Sequence, residues 1–542
     1  MPTTVCDDVD LEMNPRSESS QRCPAAYAWG VLAIVAVALS FFAYYTRDCF
    51  VDDAFIGFEY IENLLDGHGF VFHSGQKPVE GVTNIGWLLL LAPLSAIVGP
   101  TVAAKGVGLA LLLAAIASTM LLGRSLAANM DRVEDGFGLT LIPMFLLASS
   151  FEFVYFPLAG METSLLAAIL LLMACVALRR AFGMALPVLG AFAFLVHPEA
   201  VAVYPLFAAF SWIRERENRR KLIVGNVVLV VFIGAITASR FLYFGDVVPN
   251  TFHSKPGGWQ LAMENGYGFL MARNTNVAFP ITGWLAIPVL LLGHWRLRRA
   301  SAAGADMLAA VCGAGLMFAV YSPPDWTALP RYFAPYLPAA LILLWSGLAE
   351  AAESICLLAM RAKPQAAFQD GVASTLAVRG LLLAVALLLL LTNLFDTRTK
   401  MSQLETFPGY VLAGRNLVGP ALWMRDHLPA DATIATRRIG ALAYYSRRNV
   451  FDYTYGLADP EVARLVGRRS ERFDSPVDPD LDALWRARAP EYFLEDSANM
   501  DHIVSQAGGS REHFLIHGVE YQVIREFPIG CEAKWVLARR RL

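Results

Sequence analysis

The sequence predicts a polytopic α-helical membrane protein of about 11 to 12 membrane segments, followed by a C-terminal soluble α/β domain. Hydrophobic residues make up 56% of the 542-residue chain and charged residues only 17%, against about 25% charged in ordinary globular domains. The mean hydropathy is +0.46. Apolar runs fill the chain up to residue 396, whereas the remainder is charged and has no spanning run. This composition excludes disorder and a disulfide scaffold, and the net charge of -3 provides no basic field for nucleic acid.

The membrane domain is predicted over residues 27–396, after a polar tail at 1–26. Several apolar runs are shorter than the ~20 residues of a spanning helix, so we expect tilted or half-inserted segments among them. One of the runs 86–98 and 101–123 should be re-entrant or lie along the interface, because together they must make one net crossing. The runs lie at about 27–45, 86–98, 101–123, 138–158, 163–178, 184–196, 200–213, 222–243, 280–294, 305–321, 333–349 and 380–395.

Clusters of Lys and Arg predict the orientation, because such clusters stay on the cytoplasmic side. They fall at Arg179–Arg180, Arg214–Lys221, Arg296–Arg299 and Arg361/Lys363. The acidic and polar residues of the intervening loops then face outward together. The predicted crossing at 380–395 places the C-terminal domain on the same outer side.

The C-terminal domain is predicted over residues 397–542. TIAT (433–436) and NVFDY (449–453) are β-rich and predict short strands. WMRDHL (423–428) and DPEVARLV (459–466) predict helices between turn residues.

The first outward loop, residues 46–85, carries adjacent carboxylates at Asp52 and Asp53. Such a pair beside a membrane can deprotonate an acceptor hydroxyl or hold a divalent cation, and it can equally cap a helix. The apolar residues of 55–65 recur at helical spacing and predict a helix lying flat on the bilayer.

This loop, DDAFIGFEYIENLLDGHGFVFHSGQKPVEGVTN (52–84), resembles the first-loop signature of GT-C membrane glycosyltransferases. It is most similar to the branch that contains the mycobacterial terminal β-(1→2)-arabinofuranosyltransferase. Three later motifs agree in order: LAGMET (158–163), YFGDVVPNTFHSK (243–255) and DWTALPRYFAPYLP (325–338). The segment 433–466 resembles the start of the branch's extracytoplasmic domain.

The resemblance implies that a sugar, D-arabinofuranose in that branch, passes from a polyprenyl-phosphate donor to a cell-envelope glycan. The reaction would take place at the extracytoplasmic face of a bacterial inner membrane. Its partners would be the donor, a glycan or other surface acceptor and the bilayer, with no nucleic acid. The sequence indicates no certain cofactor, and a divalent cation at Asp52 and Asp53 is left open.

The same resemblance makes Asp52 or Asp53 the catalytic carboxylate. Arg331 and Lys255 are the cations best suited to a phosphate on the outer face. His197 stands where the branch has Arg in an Arg-Pro-Glu-Gly motif, so the charge at this position depends on pH. The predicted substrate-binding residues are Glu80, Asn84, Glu162, His197, Glu199, Asn250, His253, Lys255, Asp325 and Arg331.

Alternative functions remain open at the level of the sequence. The same fold can use another prenyl-linked sugar or a protein acceptor, because motifs indicate a chemistry class better than a substrate. A lipid-linked sugar flippase or transporter would need polar residues at the membrane midplane and repeat symmetry. A catalytically silent envelope scaffold is the third possibility.

Overall fold

The computed structural model describes residues 25–128, 130, 133–178, 184–214, 219–254, 263–264, 283–321, 331–361, 371–406, 413–467, 478–507, 509–529 and 533–541. Lys255 and Asp325, two of the predicted site residues, lie outside these ranges.

Within these ranges, every predicted apolar run falls on helix. The helices of the membrane domain are α1 (Ala25–Tyr45), α2 (Asp52–Leu65), α3 (Ile85–Val98), α4 (Pro100–Ala127), α5 (Val133–Ser149), α6 (Phe151–Leu158), α7 (Thr163–Leu178), α8 (Ala185–Val196), α9 (Tyr204–Arg214), α10 (Arg219–Phe244), α11 (Asn250–His253), α12 (Gly283–Ala300), α13 (Ala302–Tyr321), α14 (Leu337–Arg361) and α15 (Gly371–Thr406). Short 3-10 turns at Pro198–Val203 and Ala334–Tyr336 precede α9 and α14.

Six of these helices are long and apolar enough to cross a membrane: α1, α4, α10, α13, α14 and α15. The pair α5 and α6 is bent by 58° and qualifies as a seventh span if it is taken as one segment. Four shorter apolar segments cover Ile85–Val98, Thr163–Val176, Ala185–Val196 and Pro198–Ile213. At 1.5 Å per residue α3 is only about 21 Å long, which favours the expectation that this run does not cross the bilayer alone.

The bend between α5 and α6 is covered by a polar face of α15. Helical hydrogen bonding is interrupted there, and backbone carbonyls inside a membrane need substitute donors. The amide of Asn393 donates to the hydroxyl of Ser149 at 3.1 Å, and the hydroxyl of Thr397 donates to the Ser149 carbonyl at 3.1 Å. One turn further on, Lys400 forms a buried ion pair with Glu152. The hydroxyl and the carbonyl of Ser149 at the break therefore both accept hydrogen bonds from α15.

The backbones of α12 and α14 are in direct contact where the two helices cross, because each helix has a glycine at that point. A Cβ on Gly293 would lie 1.9 Å from the carbonyl oxygen of Leu343. A Cβ on Gly347 would lie 1.9 Å from the carbonyl oxygen of Val289. Small residues allow this kind of close approach between membrane helices.

Replacing Gly347 by Ala should force α12 and α14 apart, at a cost of about 1–3 kcal/mol in the free energy of unfolding. The measurement is the thermal unfolding temperature of the purified protein in detergent. Gly313→Ala in α13 is the matched control, since a Cβ there meets nothing within 4 Å. Equal unfolding temperatures for the two variants would contradict the close contact.

The C-terminal domain is an α/β domain, as predicted. Its helices are α16 (Ala413–Asn416), α17 (Val418–His427), α18 (Ile439–Ser446), α19 (Pro460–Gly467), α20 (Asp482–Arg488) and α21 (Ser497–Ala507). Its strands are β1 (Thr433–Thr436), β2 (Asn449–Asp452), β3 (Tyr492–Asp496), β4 (His513–Ile516), β5 (Val519–Ile529) and β6 (Ala533–Arg540). The two strands and two helices predicted from the sequence are confirmed. The domain is preceded by α15, which continues past the expected boundary at residue 397.

The six strands form one sheet in the order β2-β1-β3-β6-β5-β4. β1 pairs in parallel with β2 and with β3, and the remaining pairs are antiparallel. The carboxyl ends of the three parallel strands therefore meet at one edge of the sheet. The segments that leave β1 and β2 at this edge contact the membrane domain, with α18 packed on α2. These contacts hold the C-terminal domain against α2 and α11 of the membrane domain.

Candidate functional site

A cavity of about 160 Å³ lies between the membrane domain and the C-terminal domain. Its walls come from the start of α2, the segment before α3, the start of α7, the end of α8, and the turn that leads into α14. Thr251 and Ser254 at α11, Phe318 of α13, and Tyr455 and Leu457 of the C-terminal domain also line it. Five of the predicted site residues line this cavity: Asp53, Asn84, Glu162, His197 and Arg331.

The carboxylate of Asp53 and the guanidinium of Arg331 form an ion pair in this cavity. Nη1 of Arg331 donates to Oδ2 of Asp53 at 2.7 Å, and the two side chains are 14% and 26% exposed. Asp53 is the second residue of α2, and Arg331 precedes the 3-10 turn before α14. The guanidinium also lies 5.3 Å from the ring centre of Tyr332. A base and a cation are thus held side by side, both within reach of a molecule in the cavity.

A second polar pair joins Asn84 and Glu162. The amide of Asn84 donates to Oε2 of Glu162 at 2.7 Å. Glu162 lies immediately before α7, where a carboxylate is favoured by the helix dipole. The following residue, Thr163, also lines the cavity. These side chains offer hydrogen-bond acceptors and donors to a polyhydroxylated ligand.

His197 directly follows α8 and lines the cavity, and its imidazole lies close to the carboxylate of Glu199. Nδ1 of His197 lies 2.7 Å from Oε2 of Glu199. The ring also packs edge-on against Phe318, with centroids 5.6 Å apart. Polar groups are costly at a membrane edge, and the short distance between this imidazole and this carboxylate offsets part of that cost. Glu199 therefore contacts the cavity residue His197, while its own side chain is not part of the lining.

Glu80 lies beside the cavity rather than in its wall, bound to a buried arginine. Nε of Arg240 donates to Oε1 of Glu80 at 3.0 Å, and the two residues are only 4% and 3% exposed. Burial raises the pKa of Glu80 to about 7, against the opposing charge of Arg240. Arg240 is not among the site residues predicted from the sequence. The sequence did indicate that this residue has a partner. A lone arginine near the end of the apolar run 222–243 costs free energy in a membrane unless an acidic group pairs with it.

Replacing Arg240 by Met should leave the Glu80 carboxylate buried without its cation. Breaking a buried pair in this way costs about 3–5 kcal/mol of stability, seen as a lower unfolding temperature in detergent. The double variant Arg240→Met/Glu80→Gln should regain much of that loss. Arg220→Met, an exposed position in the same helix, is the control. A double variant as unstable as the single one would contradict the pairing.

The predicted motif 243–255 reaches the cavity, but through Thr251 and Ser254. The amide of Asn250 instead donates to the carbonyl of Leu457 at 3.0 Å and to that of Gly456, and so fastens the C-terminal domain. Nε2 of His253 lies 2.9 Å from Oδ2 of Asp246. Neither the Asn250 nor the His253 side chain is part of the cavity lining.

Asp52 has a separate environment from Asp53. Its two carboxylate oxygens accept the backbone N–H groups of Gly440 and Ala441, at 3.1 and 2.9 Å. The residue is 5% exposed, and burial raises its pKa to about 6 against these two hydrogen bonds. Asp52 is not part of the cavity lining.

The donor set at Asp52 and Asp53 does not fit a divalent cation. The Asp52 carboxylate is occupied by two N–H donors and that of Asp53 by a guanidinium. A calcium or magnesium site needs several converging oxygen ligands. Across the described ranges, no group of three or more His, Cys, Asp or Glu side chains could hold a metal.

A tight loop after β2 carries Tyr455 and Leu457, two residues of the C-terminal domain that line the cavity. The buried carboxylate of Asp452 accepts the N–H groups of Tyr455 at 2.9 Å and Leu457 at 2.7 Å. Gly456 has φ 64°, in the region that favours glycine, and a Cβ there would lie 2.2 Å from the backbone nitrogen of Ala463. None of these residues is among the site residues predicted from the sequence. Asp452 and Gly456 are typical turn residues, so a turn is predictable here, but the sequence does not indicate that this turn lies near the cavity.

Comparisons with known proteins agree with this architecture. A family model described as a domain of unknown function, DUF8728, matches residues 411–540, within the C-terminal domain. No curated protein sequence matches the chain. Two crystal structures of ArnT from Cupriavidus metallidurans are similar over almost the whole length. The apo form is 16% identical with a TM-score of 0.54, and the form bound to undecaprenyl phosphate is 14% identical with a TM-score of 0.55. Each comparison covers 95% of this chain and 98% of ArnT, so the two proteins share a fold.

Proposed function

We propose that this chain is an integral membrane glycosyltransferase that moves a sugar from a polyprenyl-phosphate donor to a cell-envelope glycan. The carrying observation is the Asp53–Arg331 pair, 2.7 Å apart in a cavity between apolar helices and a soluble domain. The fold supports the proposal, because the ArnT structure that shares it holds undecaprenyl phosphate, a lipid of the proposed donor class.

The proposed reaction uses the two members of this pair for opposite tasks. Arg331 binds the phosphate of the donor, because a guanidinium matches phosphate oxygens in charge and geometry. Binding draws Arg331 toward the phosphate and releases Asp53 to face the acceptor hydroxyl. The bond between the anomeric carbon and the phosphate oxygen breaks, and a bond from the acceptor oxygen to that carbon forms. The hydroxyl proton passes to Asp53, and the polyprenyl phosphate leaves with its negative charge beside Arg331.

The remaining wall residues suit the sugar and its acceptor. Asn84, Glu162 and His197 provide hydrogen-bonding groups around the cavity. Phe318 and Tyr332 form an aromatic edge there, with ring centroids 5.5 Å apart. Because motif resemblance to the arabinofuranosyltransferase branch extends from the first loop into the C-terminal domain, we propose D-arabinofuranose as the donor sugar.

We also propose that the cavity and the C-terminal domain are extracytoplasmic in a bacterial inner membrane. Basic residues at the end of α12 support this orientation. Arg296 and Arg299 pair with Glu350 at 2.7 and 2.6 Å, and Glu350 lies about 20 Å along α14 from the end that adjoins the cavity. The basic end of the bundle is therefore distant from the cavity, as the positive-inside rule requires of an outward-facing site.

The direct test is transfer by the purified protein from synthetic polyprenyl-phospho-arabinofuranose to a short arabinan acceptor, followed by mass spectrometry. The proposal expects an acceptor lengthened by one pentose. Transfer only from another prenyl-linked sugar would keep the enzyme class and replace arabinose. Movement of the lipid-linked sugar across vesicles without transfer would overturn the proposal in favour of a flippase.

Tyr455 should bind the acceptor, since it approaches the cavity from the soluble domain. Tyr455→Ala should raise the acceptor KM by up to about 10-fold, because this is the loss in binding free energy expected when one aromatic contact is removed. The donor KM should be unchanged. Leu515→Ala on the exposed face of β4 is the control within the same domain. A rise in the donor KM instead would place the ring against the donor.

A further inference from the structure

The two adjacent carboxylates of the first loop serve different neighbours. Asp53 faces the cavity, whereas Asp52 binds the first turn of α18 in the C-terminal domain through two backbone N–H groups. A carboxylate in this position satisfies helix donors that would otherwise be unpaired and interacts favourably with the helix dipole. Arg438, just before α18, adds a positive charge near Asp52. The contact therefore joins the start of α2 to the start of α18.

The contact continues along the whole of α2. The ring of Phe55 packs against Tyr444 and Tyr445, with centroids 5.4 and 5.3 Å apart. Near the other end of α2, Glu62 accepts hydrogen bonds from the hydroxyl of Tyr444 at 3.2 Å and from Arg447 at 3.0 Å. Two helices from different domains thus form one packed unit, and Asp53 is part of it.

At the Asp52 end the two backbones are in direct contact. A Cβ on Gly440 would lie 2.0 Å from the backbone carbonyl oxygen of Asp52. No side chain fits between the helices at this point, so the first turn of α2 follows the position of α18 closely. Asp53 is the next residue along the chain, and its carboxylate position depends on that turn.

We infer that Asp52 is a positioning residue, through which the C-terminal domain fixes the catalytic carboxylate of Asp53. This inference rests on the proposed function and deepens it. It separates the roles of the two carboxylates, which the sequence leaves interchangeable. It also gives the domain matched by the family model a role in building the active site, beyond contributing Tyr455 to its wall.

The test compares kcat with KM in variants that disturb the contact from its two sides. Asp52→Ala removes both acceptors, and Gly440→Ala inserts a methyl group against the Asp52 backbone. Each should lower kcat about 10-fold or more and leave the donor KM within about 2-fold, because misplacing a reacting group by ~1 Å costs about 100-fold in rate. Asp52→Asn has the same volume and retains one acceptor oxygen, so it should fall between wild type and Asp52→Ala. Asp66→Ala, exposed just beyond α2, should match wild type.

A double-variant cycle decides whether Asp52 acts through Asp53. In the Asp53→Glu background the carboxylate is already displaced, so adding Asp52→Ala should reduce kcat little further. A full additional loss in that background would show that Asp52 acts on its own and would overturn the inference. Unchanged kcat in folded Asp52→Asn and Gly440→Ala proteins would also overturn it, while the proposed function stands. A wild-type protein without transfer activity would remove the proposed function and this inference together.

Discussion

Replacing Asp53 by Asn lowers the rate of sugar transfer by about 10²- to 10⁴-fold, the usual contribution of a positioned general base. Asparagine has nearly the same volume, and it can still accept a hydrogen bond from Arg331, which lies 2.7 Å away in the wild type. The amide has no basic oxygen, so the proton of the acceptor hydroxyl has no place to go. The measurement is initial transfer rate at saturating donor and acceptor.

The matched control for this prediction is Asp48→Asn in the same loop. Asp48 is 74% exposed and pairs with its neighbour Arg47 at 3.6 Å. Its replacement should leave the transfer rate unchanged. If Asp53→Asn and Asp48→Asn transferred sugar equally well, another group would have to be the base, and Asp53 would only orient Arg331.

Replacing Arg331 by Gln is the second large effect that we expect. The phosphate would lose its cationic partner as negative charge develops on it, and the loss of one such donor costs about 10²–10³ in kcat. Affinity for undecaprenyl phosphate should fall as well, because the same contact exists in the ground state. Arg331→Lys should retain part of the transfer rate and part of the lipid affinity, because lysine keeps the positive charge but lacks the planar guanidinium that can donate two parallel hydrogen bonds.

Titration of the purified variants with undecaprenyl phosphate separates these contributions. Arg425→Gln is the control, on an exposed arginine of the C-terminal domain. If Arg331→Gln bound the lipid phosphate as tightly as wild type, Arg331 would have no role in donor binding. The Asp53–Arg331 pair would then be a structural ion pair.

The membrane helices were predictable because their signal is local. A run of apolar residues such as 222–243 needs no knowledge of its neighbours to be identified as helix, and α10 covers it entirely. The short strands β1 and β2 were predictable for the same reason, from β-rich segments between turns. The sheet order was not predictable, since it depends on pairing between distant segments such as β3 and β6.

The candidate site was predictable in its outline. Asp53 and Arg331 are 278 residues apart, yet both were identified as residues that suit phosphate and hydroxyl chemistry on one side of a membrane. Their direct pairing was not visible in the sequence. The different environment of Asp52 was also not visible in the sequence, because only the fold shows that α18 supplies two N–H donors to its carboxylate.

Buried partners were the hardest to predict. Arg240 lies within an apolar run, where its charge gives no indication of which carboxylate it meets. Asp452 is three residues from Tyr455 in sequence, but its role depends on a turn that brings Tyr455 to the cavity wall. Such contacts are set by tertiary packing and leave little trace in composition or periodicity.

The central claim is that one cavity holds the donor phosphate at Arg331 and the sugar at Asp53. A cryo-electron microscopy structure of the Asp53→Asn protein with a polyprenyl-phosphate sugar tests it most directly. We expect the phosphate within hydrogen-bonding distance of Arg331, the sugar between Asn84 and His197, and Tyr455 in contact with the bound ligand. A lipid phosphate bound elsewhere, with this cavity filled only by solvent, would contradict it.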